Sequence, residues 1–187
     1  MQNLTDLEII ESVLLGNTGD YHLLINRYKH RAFSLLRRML GNELDAEDAL
    51  QDSFVKAYFN LKAFRKEARF STWFYRIVYN TALNKLASKS RKAEDSTESL
   101  TGMEEEIPAH AELPMGSEKS ELLGSLLEYL TPNYVTVLNL FYFDGMSCEE
   151  IAEIMTLSTG NVKVLLHRAR TQLKKIIESN NLKEELL

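Results

Sequence analysis

A single cysteine, Cys148, excludes an internal disulfide framework and fits a reducing compartment. No apolar run approaches the roughly 18 residues that a membrane span needs. The acidic opening MQNLTDLEII lacks the basic start and apolar stretch of a secretion signal. A cytoplasmic protein without stable membrane insertion is expected. The histidines, His22, His30, His110 and His167, are scattered without metal-ligand spacing, and no Ser/His/Asp set suggests hydrolysis. The phosphate-binding loop G-x-x-x-x-G-K-[ST] is missing as well. A non-enzyme with no metal and no cofactor is therefore expected.

What is present is charge that alternates along the chain. The net charge of −5 conceals a basic block. Residues 20–93 carry fifteen bases against seven acids, whereas residues 94–121 carry nine acids against one base. Residues 94–121 also lack helical periodicity and hold two of the three prolines, as a flexible acidic linker would. Two modules and a tether are expected: residues 1–93, 94–121 and 122–187.

Both modules read as α-helical, and no credible strand or repeat is found. Helices are expected at residues 4–15, with Thr5 or Asp6 as cap, and from Asp20 to Leu40, stopped by Gly41-Asn42. Asp45 is expected to cap a helix running to Leu61, whose solvated side presents Asp48, Gln51, Asp52 and Lys56. The next helix begins near Phe70, and its basic tail, Lys85-Leu-Ala-Ser-Lys-Ser-Arg-Lys92, is expected to fray into the tether. In the second module, helices are expected at 122–130 and from Thr131-Pro132, then from Ser147, where Ser147-Cys-Glu-Glu150 fits a capping box. Ser158 caps the last.

Two stretches carry chemistry. In Phe64–Leu86, six aromatics (Phe64, Phe70, Trp73, Phe74, Tyr75, Tyr79) lie among Arg65, Lys66, Arg69 and Arg76, with Glu67 the one acid. Rings that stack on unpaired bases beside cations that hold phosphates are the equipment of single-strand binders. An amphipathic helix with an aromatic core face is the competing reading. Helical spacing assigns Phe74, Ile77, Val78 and Thr81 to the core and leaves Phe64, Tyr75, Tyr79 and the arginines off that face. The second stretch, Ser147–Met155, a short turn and then Ser158–Lys175, has helix-turn-helix proportions. Ser158–Lys175 holds Lys163, Arg168, Arg170, Lys174 and Lys175 and no acid, as a helix in a major groove needs against phosphate. Ser158, Thr159 and Asn161 stand at its N-terminal end, where base edges would be met.

Tyr28-Lys-His-Arg31, Asp45-Ala-Glu-Asp-Ala-Leu-Gln-Asp52, Phe70-Ser-Thr-Trp73 and Tyr75-Arg-Ile-Val-Tyr-Asn80 resemble region 2 of bacterial extracytoplasmic-function sigma factors. Leu130-Thr-Pro132, Phe143-Asp-Gly-Met-Ser147, Glu150-Ile-Ala-Glu-Ile154 and Leu166-His-Arg-Ala-Arg170 resemble their region 4. The resemblance implies an all-α protein of two small helical domains that binds core RNA polymerase and reads a promoter. Asp48, Gln51, Asp52 and Lys56 would meet the β′ clamp coiled coil, and Leu130–Phe141 the β flap. Loop Lys62–Arg69, with Phe64, Arg65, Lys66 and Arg69, would hold a base flipped from the −10 element. Trp73, Arg76 and Asn80 would steady the melting duplex. Ser158, Thr159, Asn161, Lys163, His167, Arg168, Arg170 and Lys174 would face the −35 groove. An anti-sigma factor is the further partner that the resemblance implies. One departure stands out: Leu165 occupies a position that is commonly Arg or polar in the family. A helix-turn-helix regulator acting on duplex DNA without polymerase is the alternative, and it leaves the aromatic-basic loop unused.

Overall fold

Capping side chains set where the helices begin. The computed structural model describes residues 4–95, 126–127 and 129–179. Helix α1 (Asp6–Leu14) starts at Thr5, whose Oγ1 accepts from Glu8 N at 3.3 Å while Glu8 Oε2 accepts from Thr5 N at 2.7 Å. These bonds hold the Glu8 carboxyl below its usual range. Asp6 has a different task. It pairs with Arg27 and accepts from the Tyr28 hydroxyl, tying α1 to α2 (Tyr21–Leu40).

Gly41, at φ 72°, closes α2, and Asn42 opens α3 (Glu43–Phe59) at once, its side chain accepting from Asp45 N at 2.8 Å. The cap is thus Asn42, not Asp45. A left-handed glycine needs no further linker, so the helix begins three residues earlier than the Asp45 signal suggests. Asp45 sits in the first turn, where bonds from Asn42 and Lys89 hold its carboxyl below the usual range.

A 3-10 turn (Leu61–Ala63) and a loop lead to α4 (Phe70–Asp95). The expected fraying from Lys85 onward does not occur: the helix continues through residues 94 and 95, assigned above to the linker. The remainder of that linker lies outside the described residues, as does most of the helix expected at 122–130, of which Leu126 and Leu127 are helical and buried.

In the second half, Thr131 and Pro132 start α5 (Pro132–Leu138), which widens into a π-helical turn over Asn139–Phe143. Ser147 and Glu150 form the expected capping box of α6 (Cys148–Met155). Thr156 turns the chain at φ 56°, and Ser158 Oγ accepts from Asn161 N at 3.2 Å at the head of α7 (Thr159–Ser179). Among the described residues there is no strand, in keeping with the all-α expectation.

The first half of the core gathers Ile9, Ile10, Leu24, Leu35 and Phe74, and the second Val135, Leu140, Ile151, Val162 and Leu166, in one continuous cluster. Helix α4 joins them: it packs on α2 and α3 on one side and on α6 on the other, while α5 lies on α2. Polar anchors tie the halves. Tyr75 donates to Asp144 Oδ1 at 2.8 Å and Tyr79 to Asn133 Oδ1 at 2.9 Å. Arg38 donates to Asn139 and stands 4.9 Å above the Phe143 ring. Burial raises the Asp144 carboxyl above its ordinary range, against the pull of its bond from Tyr75 and of Arg31 and Arg38. Tyr75 is raised too, by burial and by the Asp144 charge.

A carboxyl that holds its proton more tightly when buried makes its stabilising contribution in acid. That contribution is complete below the ordinary aspartate pKa of about 3.9 and is lost as pH rises through the raised value. Asp144→Asn, uncharged at every pH, should therefore gain stability relative to wild type as pH rises through this window. Urea unfolding of both proteins from acid to neutral pH measures this, and parallel curves would remove Asp144 as the titrating group.

Candidate nucleic-acid interface

The loop between Ala63 and Phe70 is pinned at its ends by rings. Phe64 is 8% exposed and packs edge-on against Phe70, centroids 5.8 Å apart, and against Trp73 at 5.4 Å. Phe70 stacks in turn on Phe74, itself stacked on Phe54 at 4.7 Å. Between the pins, Arg65, Lys66 and Arg69 are exposed, as are Arg76 and Asn80 on α4. Lys66 adopts φ 60°, a left-handed conformation costly to a residue with a Cβ. Its Nζ lies 2.5 Å from Glu11 Oε1 of α1, both side chains about half exposed. Arg69 stands 3.5 Å from Glu150 of α6. Exposed pairs of this kind contribute about 0–1 kcal/mol.

A cleft of about 620 Å³ opens beside this loop, walled by Phe64, Arg65, Thr72, Trp73 and Arg76 and, on the far side, by Glu153 and Leu157. Thr72 is 2% exposed, and its Oγ1 has no hydrogen-bond partner among the described residues. A buried hydroxyl left unpaired costs about 1–3 kcal/mol unless a partner arrives. Aromatic wall and cations together suit a planar, anionic ligand.

On the second half, α7 buries Val162, Leu166 and Ala169 and turns Asn161, Lys163, His167, Arg168, Arg170 and Lys174 to the surface. Arg170 Nε folds back onto Leu166 O at 3.1 Å, and Lys174 lies 3.7 Å from Glu178. Thr159 is half-buried, and the Ser158 hydroxyl serves as cap. Leu165 packs partly against the core, so the position that departs from the family pattern presents little to a groove.

The model of sigma-70 region 2 matches residues 24–92, and that of sigma-70 region 4 matches residues 120–173. The sigma-E factor of Haemophilus influenzae, a curated relative named as an ECF RNA polymerase sigma factor, is 32% identical over 185 residues, 95% of this chain and 97% of its own. The chain belongs to the extracytoplasmic-function sigma factors. The Bacillus subtilis sigma factor SigW is 35% identical over 175 residues, 89% of this sigma factor and 93% of its own length. In fold, it is similar to RpoE of Bartonella quintana, solved with the anti-sigma factor NepR (TM-score 0.69, 20% identity, 85% of this chain and 97% of that one). It is also similar to CnrH, solved with the cytosolic domain of CnrY (TM-score 0.65, 22% identity, 91% and 96%). Among the described residues, no helix is long and apolar enough to cross a membrane.

Several sequence expectations shift within this sigma factor. Phe64, Tyr75 and Tyr79, read as lying off the core face, are 8%, 1% and 6% exposed. Helix α4 is covered on more than one side: Tyr75 meets Asp144, Tyr79 meets Asn133 of α5, and Phe64 packs on Phe70 and Trp73. Phe64 therefore props the loop and offers no free ring. Lys56 is exposed but leans aside, donating to Thr81 Oγ1 of α4 at 3.1 Å, away from the face of Asp48, Gln51 and Asp52. Asp48 itself pairs with Lys85 at 3.2 Å. Sequence reasoning missed Thr72, Glu11 and three apolar side chains on the outer face of α3: Leu44, Val55 and Phe59, exposed by 77%, 53% and 76%. Their spacing with Asp48, Gln51 and Asp52 marks one helical stripe, a signal that was present in the sequence.

Phe64→Ala should lower stability by about 3 kcal/mol or more, the usual effect of emptying a buried ring. Lys66→Gly should match or exceed the wild type, because glycine accepts the left-handed backbone, and Lys66→Val should lose about 1–3 kcal/mol. Thermal denaturation of these variants checks the order; a Lys66→Val protein as stable as Lys66→Gly would contradict the backbone conformation.

Proposed function

We propose that this sigma factor, which directs transcription with RNA polymerase, reads the −35 element as duplex through α7 and captures −10 bases as single strand beside the 64–70 loop. The observation that carries this reading is the cleft, where Trp73 lies between the exposed Arg65 and Arg76. A flipped base would lie against Trp73, while Arg65, Lys66, Arg69 and Arg76 hold phosphates and Asn80 lies further along the strand. Stacking on an aromatic returns about 1–3 kcal/mol per base, against roughly 1.4 kcal/mol for each stacked step undone. A loop of this size nucleates melting, and polymerase contacts supply the rest. Because α6 faces the cleft, strand capture in this reading goes with separation of the two halves.

The −35 set would be Ser158, Thr159, Asn161, Lys163, His167, Arg168, Arg170 and Lys174, with the acid-free run Ser158–Lys175 as its support. Core polymerase would take the α3 stripe, where Asp48, Gln51 and Asp52 alternate with Leu44, Val55 and Phe59 and Lys56 stands at the margin. The chain would divide into a region 2 domain (1–93), a linker (94–121) and a region 4 domain (122–187). An anti-sigma factor would be its regulator, as the relative solved with NepR suggests.

Transcription with core polymerase on a promoter library, with permanganate detection of unpaired thymines, tests the reading. Arg168→Ala should weaken binding to all promoters and reduce the salt slope by about one unit, whereas Asn161→Ala should relax preference at one or two −35 positions, at about 1–3 kcal/mol. Identical effects of the two across the library would remove α7 from the groove. Phe59→Ala should weaken core polymerase binding by about 1–2 kcal/mol, as loss of an aromatic anchor does, with promoter preference unchanged in competition binding.

A further inference from the structure

The loop that carries the exposed cations is met by a carboxylate from outside the matched region. Helix α1 precedes residues 24–92, yet its Glu11 reaches 55 residues along the sequence to Lys66, Oε1 to Nζ 2.5 Å. Arg69 has a similar partner in Glu150, but with a difference. Glu150 belongs to α6 and would leave with the second half, whereas α1 is fixed to α2 through Asp6, Arg27 and Tyr28 and to the first half of the core through Ile9 and Ile10. Glu11 therefore stays beside Lys66 however the halves are placed. The pair is too exposed to pin a lysine in a left-handed backbone conformation, so the ring anchors Phe64 and Phe70 must fix the loop. What a half-exposed carboxylate does at an exposed ammonium is neutralise it and exchange with other anions.

We propose that Glu11 is an exchangeable counter-ion for Lys66, occupying the place that a phosphate of the captured strand takes, so that α1 sets the affinity of the loop for single-stranded DNA. This rests on the reading of the loop as the strand-capture site. A strand that binds must displace Glu11 instead of a salt ion, which makes Lys66 a weaker and less salt-dependent contact than a free lysine and restrains capture of strands at random.

The test is binding of holoenzyme to fluorescein-labelled single strands, dT12 and a mixed-sequence 12-mer, across a range of salt. Glu11→Gln should raise affinity for both strands about three- to tenfold at low salt and steepen the log–log salt slope by about 0.7, one more phosphate contact on a single strand. Lys66→Gly, which keeps the backbone conformation, should lower affinity. Adding Glu11→Gln to Lys66→Gly should change nothing further, because the effect of Glu11 passes through Lys66. A gain from Glu11→Gln that persists without Lys66 would show general charge repulsion and overturn the proposal, as would no gain. Arg65→Ala separates the two levels. If it weakens binding while Glu11→Gln is silent, the counter-ion fails and the loop reading stands; if neither it nor Lys66→Gly matters, the loop reading fails and takes the proposal with it.

Discussion

Everything exposed about the 64–70 loop depends on what is buried at its ends. Phe64 and Phe70 sit in one aromatic cluster with Trp73, Phe74, Phe54 and Tyr28, and edge-on and stacked contacts of this kind add about 0.5–1.5 kcal/mol each beyond burial. With both ends held, the short span between them needs few backbone hydrogen bonds and can leave its cations facing outward. The binding chemistry proposed for the loop would thus be mounted on the core without being part of it. In this reading Phe64 supports the site through its contacts with other rings, without itself facing a ligand.

The same economy explains what the sequence made legible. Local signals were read well: the Thr5–Glu8 and Ser147–Glu150 boxes, Pro132 in the first turn of α5, and the acid-free run of α7 all stand where the residues put them. These depend on neighbours three or four positions away. Two local signals misled. Asp45 and Asn42 both have cap-type side chains, and the left-handed Gly41 decided between them. The basic tail from Lys85 onward reads as fraying, yet Lys85 and Lys89 pair with Asp45 and Asp48 of α3 and help hold it helical. Contacts between distant segments were not legible. Periodicity gives a helix one inner face, and α4 has more than one because the second half covers it. Tyr75 and Tyr79 look like outward rings until Asp144 and Asn133 are found above them.

The contact between the halves is polar as well as apolar, and this sets its character. A purely apolar seam would be indifferent to pH, whereas Asp144 held between Tyr75, Arg31 and Arg38 is not. A buried carboxylate retained in such a seam costs desolvation that an apolar pair would not, and it gives a definite geometry in return. The region 2 and region 4 halves of this sigma factor can then meet in one register, without adhering through whichever apolar surfaces happen to approach.

That register is written in the π-helical turn after α5. Asp144 N bonds to Asn139 O, five residues back, so the turn holds one residue more than an α-helical turn would. Each residue of an α-helix advances the direction of its side chain by about 100°. The surplus residue thus acts as an angular spacer that aims Asp144 at Tyr75 where the helix ends. In evolutionary terms, this stretch is a counting device: a single-codon deletion would turn Asp144 by about 100° and take its carboxylate away from the Tyr75 hydroxyl.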